Sequence, residues 1–193
     1  MTIDERREEF NRLAAHYAND IVSPALVKWL DENGFFTSPA STKYHGVYPG
    51  GLYDHSKAVF DRLIWMTNML NITWQRPESP FITGMFHDLC KCDQYRLKPE
   101  IKKLLDEYPE MRDEIKLEYE YNTDTLLKGH GAKSVLILSQ FMVLTEEEML
   151  CIRYHMGPYE KEEWPEYDLA IRRHETVLLT HTADMYASKV DGT

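Results

Sequence analysis

Two aspartates of the chain lie in settings where a metal ion would be chemically favourable. Asp88 follows His87 inside the apolar segment FITGMFHDLCK, and Asp184 stands inside LLTHTADMYAS. Burying a carboxylate among apolar residues costs several kcal/mol unless it is paired with a cation or binds a metal. A shared cation would satisfy both carboxylates, and imidazole together with carboxylate suits Mn, Fe, Ni or Zn.

Other candidate ligands are histidines in short, distinctive contexts. His55 occurs in GGLYDHS, His130 in GHG and His155 in IRYHMG. A single buried histidine is more often a hydrogen-bonded core residue than a ligand, so none of the three predicts a site alone. The informative feature is the order: a histidine, then the His-Asp pair, then an aspartate, each predicted on its own helix. His16 and His174 have charged or polar neighbours and are expected to face solvent.

This ordered set resembles the HD superfamily of metal-dependent phosphohydrolases. The resemblance runs from about His45 to Ser188 and consists of the segments HGVYPGGLYDHS, FHDLCK, GHGAKS, RYHMG and HTADM. It implies an all-α fold, a single-domain helical bundle of the HD type with its metal between central helices. The first metal is thereby assigned to His55, His87, Asp88 and Asp184.

Two further histidines fit the two-metal subgroups of the superfamily. Those subgroups insert two histidines between the His-Asp pair and the final aspartate, and His130 and His155 stand in these positions. In such sites the aspartate of the pair bridges both ions, so the resemblance implies Asp88 as the bridge. The alternative is that His130 and His155 contact substrate beside a single metal. The expected cofactor is therefore one or two divalent transition metal ions.

The resemblance also implies hydrolysis of a phosphomonoester or phosphodiester by metal-activated water, with Asp88 and Lys91 as catalytic residues. Lys91 follows Asp88 by three positions, which brings the two close together on a helical face, and the lysine of related HDxxK motifs reaches an anionic substrate. The alternative is a surface lysine that stabilises a helix end. Besides Lys91, the candidate substrate contacts are Lys133 in GHGAKS, His45 in the HGVYPGGL loop, and His181 in HTADM.

The substrate is expected to be a small phosphorylated molecule rather than a long nucleic acid. The pattern HGVYPGGLYDHS with HDLCK and GHG is similar to the HD half of bacterial 3′-5′ exoribonucleases, but the chain has no room for their separate nucleic-acid-binding barrel. A net charge of −10 also disfavours a long polyanion, whose binding depends on Lys and Arg. The E-x-x-x-G-D element associated with HD 5′-nucleotidases is not seen. A nucleotide or short oligonucleotide fits these observations best.

Two other functions use the same residues. The ligand order also resembles the di-iron HD oxygenases, which cleave C–C or C–P bonds of polyols or phosphonates with O2. A non-catalytic HD module that binds a nucleotide is the third hypothesis. Lys91 does not discriminate between hydrolase and oxygenase, and the pattern indicates no particular oligomeric state.

The composition is that of an ordinary globular protein without membrane segments. Apolar residues make up 43% and charged residues 28% of the chain, and its beginning, MTIDERREEF, lacks the apolar core of a signal peptide. A cytoplasmic protein with no membrane partner is expected. Its three cysteines are predicted to be free thiols. Cys90 and Cys92 form a C-x-C pair, but a structural zinc site takes two spaced pairs, so packing roles are predicted.

The site residues need a continuous helical framework, which the apolar periodicity predicts. One domain over 1–193 is expected, with the core at about 45–188 and added N-terminal helices in 1–33. The charged insertion at about 92–122, with a brief strand or hairpin near Tyr119 and Tyr121, is the candidate lid or substrate-selecting segment. A loop is predicted over 34–53. The predicted helices are 3–18, Ser23-Pro24 through Leu30, 55–71 capped by Asp54, 81–91, 99–107, 124–142, 145–155 and 166–190.

Overall fold

A 20-residue helix, Gly51–Leu70, forms the centre of the fold and packs most extensively against the helices Ser79–Phe86 and Thr176–Tyr186. The structure is a computed structural model that describes residues 1–111, 114–125, 127, 129–158 and 161–193. The helices of these residues are α1 (Ile3–Tyr17), α2 (Pro24–Glu32), α3 (Gly51–Leu70), α4 (Ser79–Phe86), α5 (Lys91–Gln94), α6 (Pro99–Glu107), α7 (Gly131–Leu138), α8 (Glu146–Arg153), α9 (Trp164–Arg173) and α10 (Thr176–Tyr186).

Two short strands interrupt the helical pattern in the charged insertion. β1 (Tyr95–Leu97) and β2 (Tyr119–Tyr121) pair antiparallel with Tyr95 opposite Tyr121, which confirms the predicted hairpin. Short 3-10 turns cover Pro109–Met111 and Lys161–Glu163, and a π-helical turn, Ala187–Asp191, continues α10. The fold is therefore all-α apart from one hairpin, as predicted. Each helix of the described residues is too short or too polar to cross a lipid bilayer.

Helix α3 lies between two apolar clusters that hold the bundle together. On one side, it packs with α1, α4 and the turn after α2 through the rings of Phe10, Phe35, Phe36, Tyr53, Phe60, Phe81 and Phe86. On the other side, it packs with α8, α9 and α10 through Val59, Leu63, Tyr154, Tyr167, Val177 and Ala183. Because each fully buried Leu or Phe side chain stabilises the fold by about 1.5–3 kcal/mol, α3 is anchored on both sides.

Several predicted helix boundaries are confirmed together with their capping residues. Ser23 accepts a hydrogen bond from the Leu26 amide and Pro24 occupies the first turn of α2, as the sequence predicts. Thr145 and Glu148 form a capping box at the start of α8. The predicted loop over 34–53 is present up to Gly50.

The predicted cap of the central helix is wrong. Helix α3 begins at Gly51, because Gly50 takes a left-handed conformation with φ 87° and turns the chain into the helix earlier. Asp54 lies inside the first turn and accepts hydrogen bonds from Arg6 Nε at 2.9 Å and Nη2 at 2.7 Å. Asp54 therefore ties α1 to α3 instead of capping α3.

The predicted helix 81–91 is divided. Helix α4 ends at Phe86, and residues 87–90 form a turn before α5. Within this turn the Cys90 amide donates to the Ser134 hydroxyl of α7 at 3.0 Å, in place of a helical carbonyl. His87 and Asp88 consequently lie at the end of a helix rather than inside one.

Two other predicted helices are also too long. The helix predicted at 124–142 is reduced to α7 (Gly131–Leu138), and positions 126 and 128 of that range lie outside the described residues. The helix predicted at 166–190 is split into α9 and α10, because the backbone at His174 is extended, with φ −138° and ψ 101°.

Two glycines allow the segments that carry the site residues to approach closely. A β-carbon at Gly84 would lie 2.5 Å from the Phe60 Cα, so α4 packs directly on the backbone of α3. A β-carbon at Gly131 would overlap the carbonyl oxygens that end α8. The first approach brings the His55 helix to the His87 turn, and the second brings His130 to the turn that holds His155.

Replacement of Gly84 by alanine should therefore destabilise the fold. Overpacking at the α3–α4 contact is expected to lower the free energy of unfolding by about 1–3 kcal/mol, measured by equilibrium unfolding in urea. Thr182→Ala, at an exposed position of α10, is the control and should change the free energy by less than about 0.5 kcal/mol. An unchanged midpoint for Gly84→Ala would show that the close approach does not constrain the bundle.

Candidate metal centre

Four buried side chains from three parts of the chain converge at one point: His55 from α3, His87 and Asp88 from the turn after α4, and Asp184 from α10. The separations are 3.3 Å between His55 Nε2 and His87 Nε2, 3.0 Å between His55 Nε2 and Asp184 Oδ1, and 3.3 Å between His87 Nε2 and Asp88 Oδ2. Neighbouring ligands of a tetrahedral ion with bonds of about 2.0–2.1 Å are about 3.3 Å apart. His55, His87 and Asp88 could therefore hold a metal ion. Asp184 lies beside this group, with Oδ1 3.0 Å from His55 Nε2 and 3.9 Å from His87 Nε2, and its role as a ligand stays a prediction.

The ring orientation of three histidines supports this interpretation. In each, Nδ1 lies at hydrogen-bond distance from a main-chain carbonyl, namely Thr193 at 3.0 Å for His55, Gly84 at 2.8 Å for His87 and Ile152 at 2.7 Å for His155. This network places a proton on Nδ1 and directs each Nε2 atom into the cluster, where it can carry a second proton or bind a cation. Metal-binding histidines are held in the same way by the groups around them.

The charges of the cluster are also those of a cation site. Burial alone would raise the pKa of Asp88, but Lys91 and His87 hold that pKa well below its usual range. Burial likewise opposes ionisation of Asp184, whose pKa is lowered by the hydrogen bond and charge of His55. Lys91 Nζ lies 2.6 Å from Asp88 Oδ2, so the predicted proximity of these two residues is confirmed. Both lowered pKa values favour the ionised carboxylates, whose oxygens can bind a cation.

The two oxygens of Asp88 face different histidines. Oδ2 lies 3.3 Å from His87 Nε2 and 3.6 Å from His55 Nε2, whereas Oδ1 lies 3.3 Å from His155 Nε2. No described residue donates a hydrogen bond to the buried Nε2 atom of His155. An imidazole nitrogen this close to a carboxylate oxygen needs a proton on the nitrogen or a cation between the two atoms. This arrangement suits the predicted bridging role of Asp88, which itself stays a prediction.

Cys90 and His130 extend the cluster beyond Asp88. The Cys90 sulfur lies 3.9 Å from Asp88 Oδ1 and 3.9 Å from His130 Nδ1, so Asp88, Cys90 and His130 are a second group that could hold a metal ion. Burial raises the pKa of the Cys90 thiol to about 12 and lowers the pKa of His130. Cys90 is buried, as its predicted packing role requires, and its position two residues after Asp88 also makes it a possible ligand.

His45 and His181 lie beside the centre in different ways. The His45 ring is centred 4.9 Å from the His55 ring, and burial lowers its pKa to about 4. Neither ring nitrogen of His45 has a hydrogen-bond partner within the described part of the chain. His181 Nδ1 donates to the carbonyl of His155 at 2.7 Å and so supports the turn that presents this residue. Contact of either with substrate stays a prediction.

Two cavities flank His130. One, of about 270 Å³, is lined by Gln94, Tyr121, Asn122, Thr125, His130 and Lys133, and the other, of about 280 Å³, by His130, Gly131, Tyr154, Met156 and Gly157. Lys133 is buried and forms an ion pair with Asp93. Lys91 and Lys133 therefore both face the site and both have carboxylate partners.

The two histidines expected in solvent behave differently. His16 is exposed, as predicted. The prediction for His174 is wrong: its side chain is 13% exposed, with Nδ1 4.0 Å from Glu147 Oε1. The break between α9 and α10 turns this residue inward.

Comparison of the chain with protein-family models, with curated proteins and with solved structures finds no match. The helical fold and the buried His/Asp cluster, which could bind metal, are compatible with an HD-type fold.

The carbonyl that contacts His55 comes from the segment after α10. There the Thr193 amide donates to the Ala187 carbonyl at 3.2 Å, and Gly192 has φ 76°, which lets the chain turn back. Asp191 accepts hydrogen bonds from Arg62 of α3 at 3.0 and 2.7 Å. The sequence carries no signal for this contact, because a main-chain carbonyl belongs to every residue.

Deletion of residues 192–193 should weaken metal binding. Loss of the carbonyl that orients a liganding histidine typically costs roughly 10–100-fold in metal affinity, which competition titration with a chromogenic chelator would measure. Thr193→Ala is the matched control, because it keeps the main-chain oxygen and removes only the side-chain hydroxyl and methyl groups, and it should bind metal as the unaltered chain does. Equal affinities for the deletion and the control would contradict the role of this carbonyl.

Proposed function

We propose that the protein is a metal-dependent phosphohydrolase that cleaves a phosphomonoester or phosphodiester of a nucleotide or short oligonucleotide. The observation that carries the proposal is the convergence of the Nε2 atoms of His55 and His87 on the ionised carboxylates of Asp88 and Asp184. Histidines that serve only the packing of the core would not need two buried carboxylates beside them, because each buried charge adds a desolvation cost. The imidazoles here are already hydrogen-bonded through Nδ1 to main-chain carbonyls.

The chemistry follows from what each group can do. A divalent metal held by these residues would lower the pKa of a bound water and polarise a phosphoryl oxygen. Asp88 presents Oδ2 to His87 and Oδ1 to His155. It is therefore suited to orient a metal ion or a water molecule on either side. The Lys91 ammonium, buried at 5% exposure, offsets negative charge at Asp88 and at an approaching phosphate.

The surroundings favour a phosphate attached to a polar organic group. The cavity beside His130 is lined by hydrogen-bonding neutral side chains, among them Gln94, Asn122 and Thr125, together with the ring of Tyr121. Such a lining suits a sugar and a base. The partner of Lys133, Asp93, has a side chain that is 53% exposed, so an incoming phosphate can replace it.

The charged insertion is suited to select the substrate. Gln94, directly before β1, and Tyr121, the last residue of β2, form one wall of the cavity. Because the metal-ligating candidates lie outside this hairpin, its side chains can vary without loss of the centre. The net charge of −10 restricts binding to small anions that the metal and local lysines can neutralise.

The proposal predicts metal-dependent phosphoester turnover. Protein loaded with Mn2+ should hydrolyse p-nitrophenyl phosphate or bis-p-nitrophenyl phosphate and release phosphate or nucleoside from a nucleotide panel. EDTA should abolish the activity and Mn2+ should restore it. Asp88→Asn should reduce turnover to background, because it removes a charged ligand from both sides of the centre, whereas Asp106→Asn, an exposed substitution on α6, should leave turnover unchanged.

Three outcomes would contradict the proposal. Full activity of Asp88→Asn would exclude this site as the catalytic one. Oxygen uptake by the iron-loaded protein with a polyol or phosphonate, without phosphoester turnover, would support an oxygenase. Tight nucleotide binding by the metal-loaded protein without any turnover would support a binding module.

A further inference from the structure

We propose that Cys90 is a metal ligand, and that its sulfur forms with Asp88 Oδ1 and His130 Nδ1 a mixed sulfur, oxygen and nitrogen site for zinc. This site lies on the opposite side of Asp88 from His55 and His87. The inference deepens the proposed function and rests on it for the neighbouring metal position.

The three atoms lie slightly farther apart than the ligands of one tetrahedral zinc ion. Cys90 Sγ lies 3.9 Å from both Asp88 Oδ1 and His130 Nδ1, and the three ligand atoms all lie within 4.8 Å of one another. Around a tetrahedral zinc ion with Zn–S of about 2.3 Å and Zn–N of about 2.0–2.1 Å, sulfur and nitrogen are about 3.6 Å apart. Side-chain shifts of a few tenths of an ångström would therefore bring all three onto one ion.

The fold holds Cys90 and His130 in a fixed relation. Cys90 lies in the turn after α4, where its amide donates to the Ser134 hydroxyl at 3.0 Å. Ser134 stands in the first turn of α7, and its own amide donates to the carbonyl of His130 at 3.1 Å. One residue of α7 thus links the turn that carries Cys90 to the residue that carries the imidazole.

The neighbouring cysteine does not share this placement. Cys92 is half-buried, its carbonyl accepts a hydrogen bond from Ser38 at 3.2 Å, and it belongs to neither group of potential ligands among the described residues. Cys92 is therefore a matched control for any effect of removing a thiol near the centre.

The sulfur determines which metal this position takes. Thiolate ligands favour zinc over magnesium or manganese, whereas carboxylate and imidazole alone accept a wider range. Binding forms a zinc–sulfur bond as the thiol releases its proton to solvent. His130 lines both cavities, so an ion with these three protein ligands would keep a position accessible to substrate, as catalytic zinc sites do.

Cobalt substitution tests the inference directly, because Co2+ occupies zinc sites and gives a near-ultraviolet charge-transfer band when a thiolate binds it. The full chain, freed of metal by chelation, is titrated with Co2+ and followed by absorbance and by the number of equivalents bound. The unaltered protein and Cys92→Ser should both develop the band. Cys90→Ser should lose the band and bind one equivalent fewer, with unchanged helical circular dichroism.

Three results of the cobalt titration would overturn the role of Cys90. Cobalt binding by the unaltered protein without the charge-transfer band would overturn the role of Cys90 while leaving the site of His55 and His87 intact. A band of full intensity in Cys90→Ser would do the same. Absence of any cobalt binding to the unaltered protein would overturn both this inference and the proposed function.

Discussion

The burial of two ionised carboxylates beside three imidazole rings is the constraint on which the rest of the structure depends. Asp88 and Asp184 are almost fully removed from solvent, and each buried charge costs several kcal/mol unless a cation compensates it. Lys91 supplies one positive charge at 2.6 Å from Asp88. The Nε2 atoms that face the carboxylates either carry protons or bind a cation, so the cluster as a whole is suited to hold a metal cation.

The architecture is arranged around that requirement. Helix α3 is held from both sides by apolar clusters, and it presents His55 to the turn after α4 and to α10. Only His55 and Asp184 lie within long helices; His87, Asp88, His130 and His155 lie at helix ends. Side chains at helix ends can be aimed independently of the helical repeat, while main-chain carbonyls such as that of Gly84 fix the rings. This combination gives a rigid scaffold with individually oriented ligands.

Much of the fold could be predicted from the sequence, because its strongest signals are local. Apolar periodicity and the caps at Ser23 and Thr145 predicted α1, α2 and α8, and the alternation around Tyr119 and Tyr121 predicted the hairpin. Helix breaks were missed where distant residues contact the segment. Ser134, 44 positions from Cys90, accepts a hydrogen bond from the Cys90 amide in the turn after α4, a stretch that apolar residues alone predict as helix.

The site, like the fold, has features that the local sequence predicts and features that depend on distant residues. His55, His87, Asp88, His155 and Asp184 could be singled out because unusual residue types stand in apolar surroundings in a characteristic order, and the structure brings them together. Cys90 was predicted to pack, because a cysteine in an apolar segment is ordinary. Its distance from His130, which the sequence does not show, places it in a second group that could hold a metal ion. The contact of His55 with the Thr193 carbonyl carries no sequence signal.

Metal analysis of the protein purified without chelator tests the central claim most directly, with His87→Ala measured in parallel. One or two transition metal ions per chain are predicted for the unaltered protein. His87→Ala should lose the metal of the first position while keeping its helical circular dichroism. A chain that binds no metal even after reconstitution, or a His87→Ala variant that keeps its full complement, would contradict the account.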